Sequence, residues 1–282
     1  MASFGSPTVR RRRLAAELRR LRGSRTGTEV SRGVGWSPTK VSRAESGRES
    51  IPPAEVEKLL DYYGVADPLR GRLLSLAEDA TQHGWWDQYA DALTPEFMEF
   101  IGLEEEAVSS LQWQVDAVPG LFQTEDYARA VTRLGLEAAS AAETERRVGL
   151  RVKRQDLLTR TNPPKIWSVM DEAVLRRPAG GPAVMRAQFR HLIEVAEFPH
   201  VTLQVLPFAS GGHVGESGTF TVLRFEERDL PDVVYLEQLT GAIYLDQRSD
   251  VEHYLEVVDE LSVEALTPEE TTSFIEQVAR KI

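Results

Sequence analysis

The chain contains no cysteine. That excludes disulfides, thiolate catalysis and cysteine-bound zinc or iron–sulfur centres, and it suits a reducing cytoplasm. Long apolar runs are missing too. None approaches the ~18 residues of a membrane-spanning helix, so no membrane is expected as a partner. The basic stretch 'RRRRLAAELRRLRG' interrupts its apolar positions with arginine, whereas a secretory signal needs an unbroken apolar core. No internal repeat or low-complexity tract stands out. What remains is 282 residues, 41% of them apolar, enough for one large domain or two ordinary ones.

Positive charge becomes scarce after residue 50. Residues 1–50 hold 12 of the 33 Lys and Arg but only four of the 44 Asp and Glu, a balance of +8. The remainder carries −19. A basic head on an acidic body suits a chain whose head alone meets a polyanion; the plainer alternative is a solvated helical face.

The head reads as about five short helices. Leu14, Leu18 and Leu21 fall at i, i+4 and i+7 on one stripe of the first, with arginine opposite. 'PPAEVEKLLDYYG' has Pro53 near its start and Gly64 past its end, the usual helix asymmetry. 'DPLRGRLLSLAEDA' supplies the fifth helix. A boundary in 'TQHGWWDQY' gives expected domains 1–82 and 83–282.

The body differs. 'SSLQWQV', 'KIWSVMD', 'VTLQVLPF', 'GTFTVLRF', 'DVVYLEQL' and 'AIYLD' read as strands. The second and third flank a helix over 182–197, a parallel crossover. The last three are closely spaced, like antiparallel hairpins with turns at 'ERDLP' and 'TG'. Thr94-Pro95 and Thr124 open helices, and a charged helix covers about 142–160. Ser249 with Glu252 and Thr267 with Glu270 have capping-box spacing. The expected fold is an N-terminal all-α helix-turn-helix bundle joined to a C-terminal α+β domain with a mixed, mostly antiparallel sheet.

The informative segment is 'TGTEVSRGVGWSPTKVSRAESG', Thr26 to Gly47. Thr26 can cap a short helix, Gly35 suits a tight turn, and Ser37-Pro38 caps and opens the next helix. Two helices across a short turn make a helix-turn-helix. The N-terminal end of its second helix enters the major groove in this motif. Here that end carries Pro38, Thr39 and Lys40, with Arg43 one turn later and Val41 and Ala44 facing inward. Lys40 and Arg43 can donate to guanine O6/N7, and Thr39 can meet a thymine methyl or a phosphate. Arg48 and the run Arg10, Arg11, Arg12 and Arg13 suit phosphate contacts.

These 22 residues resemble the helix-turn-helix of the phage-repressor-like, or XRE, transcription factors. Thr26, Gly35, Ser37, Ser42, Arg43, Glu45 and Gly47 match that family's diagnostic positions, and Val30, Val34 and Val41 fill its apolar slots. The family commonly has glutamine where this chain has Gly27 and Pro38, which shifts base reading to Thr39, Lys40 and Arg43. Ser31 stands in place of a small alanine. The resemblance adds Thr26, Ser37, Pro38 and Ser42 to the expected DNA contacts.

Pieces of the body, among them 'VPGLFQTEDYARA', 'LQVLPFASGGHVGESGTF' and 'VVYLEQLTGAIYLD', resemble the domain that follows this motif in actinomycete regulators of the WhiJ-like or antitoxin-like group. The resemblance implies a cytoplasmic transcriptional regulator. It also implies a small partner protein encoded nearby. As a class, such motifs bind double-stranded DNA as dimers. An unknown small-molecule effector is the other expected partner. The rival reading is an antitoxin-like interaction module that pairs with a small protein and regulates its own operon.

Two further features invite chemical readings. 'PFASGGHVGESGTF' places His213, Glu216 and Ser217 among glycines. A phosphate cradle needs a helix after its glycine turn, and here a strand follows. Adjacent triad letters do not give triad geometry. The three residues are therefore expected as effector or partner contacts on a sheet-edge loop, with no catalytic, cofactor or metal site. Arg147, Arg151 and Arg154 are spaced at i, i+4 and i+7 in 'TERRVGLRVKRQDLL'. Glu143, Glu145 and Asp156 dilute their charge, so a solvated face is expected there.

Overall fold

The computed structural model of the chain describes residues 6–47, 50–135, 140–226 and 230–282. Its contacts form two units. The first comprises Met1–Gln88, Met98–Glu106 and Glu226–Leu230; the second comprises Tyr89–Phe97, Ala107–Phe225 and Pro231–Ile282.

The first unit is helical. It contains α1 (Pro7–Arg22), α2 (Gly27–Val34), α3 (Pro38–Ser46), α4 (Pro53–Tyr63) and α5 (Leu69–Ala80). Its helices start where local chemistry permits. Ser6, Thr26 and Ser37 cap α1, α2 and α3 through their hydroxyls, and proline opens α1, α3 and α4. The leucine stripe of α1 meets Val30, Val41, Ala44, Val56, Leu60 and Leu73 in one core. Fully burying such a side chain contributes about 1.5–3 kcal/mol. α6 (Pro95–Glu104) begins after Thr94, whose hydroxyl accepts from the Phe97 amide at 3.2 Å.

The second unit is built on a six-stranded mixed sheet. Its strands are β1 (Ser109–Gln114), β2 (Lys165–Asp171), β3 (Val201–Leu206), β4 (Phe220–Arg224), β5 (Val233–Gln238) and β6 (Gly241–Leu245). The order is β3-β2-β1-β4-β5-β6. β1, β2 and β3 are parallel, and β4, β5 and β6 add antiparallel to β1. Connection length explains the division. Parallel neighbours need long crossovers, whereas antiparallel neighbours accept short turns. Gln238 and Gly241 pair across a two-residue turn at Leu239 and Thr240, one residue before the expected 'TG'. The expected turn at 'ERDLP' includes residues outside the described ones.

Helices line both faces. One core gathers Ile166, Met170 and Leu203 with α7 (Glu125–Gly135), α11 (Pro182–Ala196) and α13 (Pro268–Ala279). The other gathers Leu111, Trp113, Val169 and Val222 with α12 (Arg248–Glu264). β1 is thus buried on both faces. Ser110 and Gln112, which alternate with its apolar residues, lie inside and bond to each other at 3.0 Å.

Three local expectations change. The charged helix breaks into α8 (Ala141–Arg154) and α9 (Asp156–Thr159) around Gln155. A short α10 (Glu172–Arg176) follows β2, because Oδ1 of Asp171 accepts from the Ala173 amide at 2.6 Å. Ser249 does not cap α12. Gln247 stands at that position without a side-chain bond, and Glu252 pairs with Arg248 at 2.6 Å. The Thr267–Glu270 box forms on α13.

This difference is measurable by urea unfolding. Thr267→Ala should cost about 1 kcal/mol, the usual effect of losing a cap. Ser249→Ala should stay within about 0.5 kcal/mol, as at an ordinary surface position.

Candidate nucleic-acid interface

The helix-turn-helix is held by reciprocal caps. Oγ1 of Thr26 accepts from the Glu29 amide at 3.2 Å, and Glu29 accepts from the Thr26 amide at 2.7 Å. Gly35 ends α2 in a left-handed conformation, and the Trp36 amide donates to the Ser31 carbonyl at 2.8 Å. Ser31 is buried, and its hydroxyl is satisfied by the Thr28 carbonyl at 2.9 Å. Oγ of Ser37 then accepts from the Lys40 amide at 3.2 Å.

The far end of α3 is pinned to α1. Arg22 and Glu45 form an ion pair, with Nε 3.0 Å from Oε1. Burial raises the Glu45 pKa, against the pull of Arg22 and Arg19. Gly47 follows with φ +69°, and a Cβ there would lie 2.9 Å from Cα of Arg12. Only glycine permits both that backbone and that approach.

The expected DNA contacts separate into three groups. Thr26, Ser37, Pro38, Thr39, Ser42 and Arg43 are exposed along the motif. Lys40 is half-buried, paired with Glu55 of α4, and its Nζ sits 4.6 Å from the Trp36 ring centre. A base or phosphate would have to compete with both partners. Trp36, Lys40, Arg43, Ile51 and Glu55 line a groove beside α3.

The arginine run on α1, expected to meet phosphates, is largely withdrawn from water. Arg10 is buried and donates to the Asp79 carbonyl and to Gln82 at 3.4 and 3.1 Å. Arg12 is buried against Glu99, 2.8 Å away. Arg11 is half-buried, bonds to Thr8 at 3.1 Å, and has its pKa lowered by burial. Arg13 is also half-buried. Consecutive helical residues point about 100° apart, so four arginines cannot share one outward face. The first half of α1 buries Thr8, Val9, Arg10 and Arg12 around its circumference. Arg48 lies outside the described residues.

The glycine-rich loop joins β3 to β4. His213 is half-buried, with Nδ1 accepting from the Gly215 amide at 3.1 Å. Its Nε2 faces Asp171 at 3.8 Å. Nε1 of Trp113 donates to the Gly215 carbonyl at 2.9 Å, and a Cβ at Gly215 would lie 2.5 Å from that nitrogen. The indole leaves no room for a side chain there. Glu216 and Ser217 are exposed, and no hydrogen bond joins either to His213 among the described residues. The loop is thus pinned at His213 and Gly215, not free at a sheet edge. No cluster of three metal-ligating side chains occurs, and no helix is long and apolar enough to cross a membrane, among the described residues.

This geometry is that of a helix-turn-helix, and residues 13–73 match a family described as a helix-turn-helix domain. Such a domain makes the chain a DNA-binding regulator by class. Residues 97–277 match the family described as a domain of unknown function, DUF5753. That match spans more than half the chain, and the chain belongs to this family. Comparisons with curated proteins and with solved structures gave no match.

Arg12 and Arg43 should behave oppositely in chemical denaturation. Arg12→Ala strands Glu99 in a buried site and should cost about 3–5 kcal/mol. Arg43→Ala, at an exposed position, should change stability by no more than about 0.5 kcal/mol.

Proposed function

We propose that the protein is a sequence-specific transcriptional regulator of the XRE type, belonging to the WhiJ-like group of actinomycete regulators. It works inside the cell as a homodimeric repressor, its second unit serves effector sensing, partner binding or dimerisation, and no catalytic step is involved. One observation carries the reading. A doubly capped helix-turn-helix presents Pro38, Thr39, Ser42 and Arg43 outward from a helix whose other end is clamped by Arg22–Glu45.

The division of labour follows from exposure. Thr39 and Arg43 meet base edges, with Arg43 suited to guanine O6/N7. Thr26, Ser37 and Ser42 sit where hydroxyls meet phosphate oxygens. Lys40 contributes once a phosphate replaces Glu55 as its partner. Two protomers would read half-sites about 34–36 Å apart, or a multiple of it.

Arg43→Ala should weaken binding to the protein's own promoter at least tenfold and relax preference at one base position, measured by fluorescence anisotropy. The double variant Lys40→Ala/Arg43→Ala should abolish specific binding with its circular dichroism unchanged. Wild-type affinity should fall steeply with salt, as release of counterions requires. A folded double variant with wild-type affinity would overturn the docking mode.

A further inference from the structure

Arg147, Arg151 and Arg154 share one face of α8. Of their sequence neighbours Glu143, Glu145 and Asp156, the last two pair with other residues. Glu145 accepts from Arg129 at 2.6 Å, and Asp156 from Lys153 at 2.6 Å. Of these three, Glu143 reaches the face, and it pairs with Arg147 at 3.2 Å. Among the described residues, Arg151 has no carboxylate within ion-pair distance; it is half-buried and hydrogen-bonds to Oε1 of Gln123, a neutral oxygen, at 2.6 Å. Glu237 of β5 attracts it from beyond ion-pair distance, while Arg154 and Arg147 repel it. Nε of Arg147 is buried with no hydrogen-bond partner among the described residues. Arg154 is 6% exposed, with its guanidinium 5.3 Å from the Phe97 ring centre.

The site is built rather than improvised. Gln123 is itself buried, its amide fixed by the Val118 carbonyl at 2.6 Å and its backbone carbonyl by Gln155 at 2.6 Å. The oxygen it offers Arg151 is therefore held in place. Burial first, then Arg154 and Arg147, pulls the Arg151 pKa down to about 10, which still leaves it charged at neutral pH. A guanidinium withdrawn from water among other guanidinium groups is costly unless an anion joins it.

We propose that this face of α8 binds a small oxyanion, a carboxylate or phosphate ester, held by the N–H groups of Arg151 and the Nε–H of Arg147. The guanidinium fork fits two oxygens of either group, and charge-assisted bonds of this kind are about twice as strong as neutral ones. Every residue named belongs to the second unit, so the proposal stands apart from the DNA-binding reading.

The test uses the full chain in thermal-shift and calorimetric titrations, with inorganic phosphate and citrate as separate probes at matched ionic strength. At least one probe should raise the melting temperature saturably. A response to phosphate alone assigns a phosphate ester, and a response to citrate alone assigns a carboxylate. Arg151→Met should remove the response, and Arg151→Lys should weaken binding about tenfold because the fork is lost. Arg147→Gln alters a less buried position and keeps the test open should Arg151→Met fail to fold; it should weaken binding at least fivefold. Absence of a saturable response to both probes overturns the proposal, as does a folded Arg151→Met or Arg147→Gln variant with wild-type affinity.

Discussion

Arg22 and Glu45 meet at 3.0 Å, and the placement of α3 depends on that contact. The Glu45 side chain is mostly withdrawn from water, so a position of α3 that lost Arg22 would leave a buried charge alone. Tyr63 belongs to the same cluster; burial, then Glu45, pushes its hydroxyl pKa up to about 12. Gly47 lets the chain leave α3 directly against the backbone of α1. The far end of α3 is thus fixed by charge and by contact, while Pro38 and Thr39 face outward at its start. The proposed reading of base edges requires side chains held to within a fraction of an ångström, which a clamp of this kind favours.

The same requirement governs how the basic head presents itself. A count over residues 1–50 overstates its field, because neutralising carboxylates such as Asp79, Glu99 and Glu55 lie outside that window. Glu99 cancels Arg12, and Glu55 faces Lys40. Glu45 cancels Arg22 from within. Arg19 and Arg20 at the end of α1, Arg25, Arg32 of α2 and Arg43 of α3 are exposed.

Much of this was legible in sequence because it is local. A cap and its partner sit three residues apart, so Thr26, Ser37 and Thr267 announce their helices without reference to anything distant. The same is true of alternation in the strands and of the leucine stripe on α1. The misses share a different cause. Whether Arg10 points into water depends on α5, and whether Glu145 dilutes Arg151 depends on where Arg129 lies. Both are tertiary facts. Ser249 had the spacing of a cap, but α12 starts at Arg248, so the cap position falls two residues earlier, at Gln247. The exposed face of α3 was readable; the direction of a buried arginine was not.

The glycine loop turns on topology rather than local chemistry. β3 lies at the edge of the sheet, whereas β4 lies beside β1. Any connection between them must pass the ends of β2 and β1. Asp171 ends β2 and Trp113 lies near the end of β1, and these are the residues that His213 and Gly215 meet. Glycine at 215 lets the backbone come within hydrogen-bonding distance of an indole that is itself fully buried. The histidine accepts from the loop's own amide and points its other nitrogen at Asp171, which fastens the crossing at a second point. The residues that resemble a chemical motif in sequence are spaced by the strands they must cross. Glu216 and Ser217 remain at the surface, where a partner would meet them on a loop already held in place.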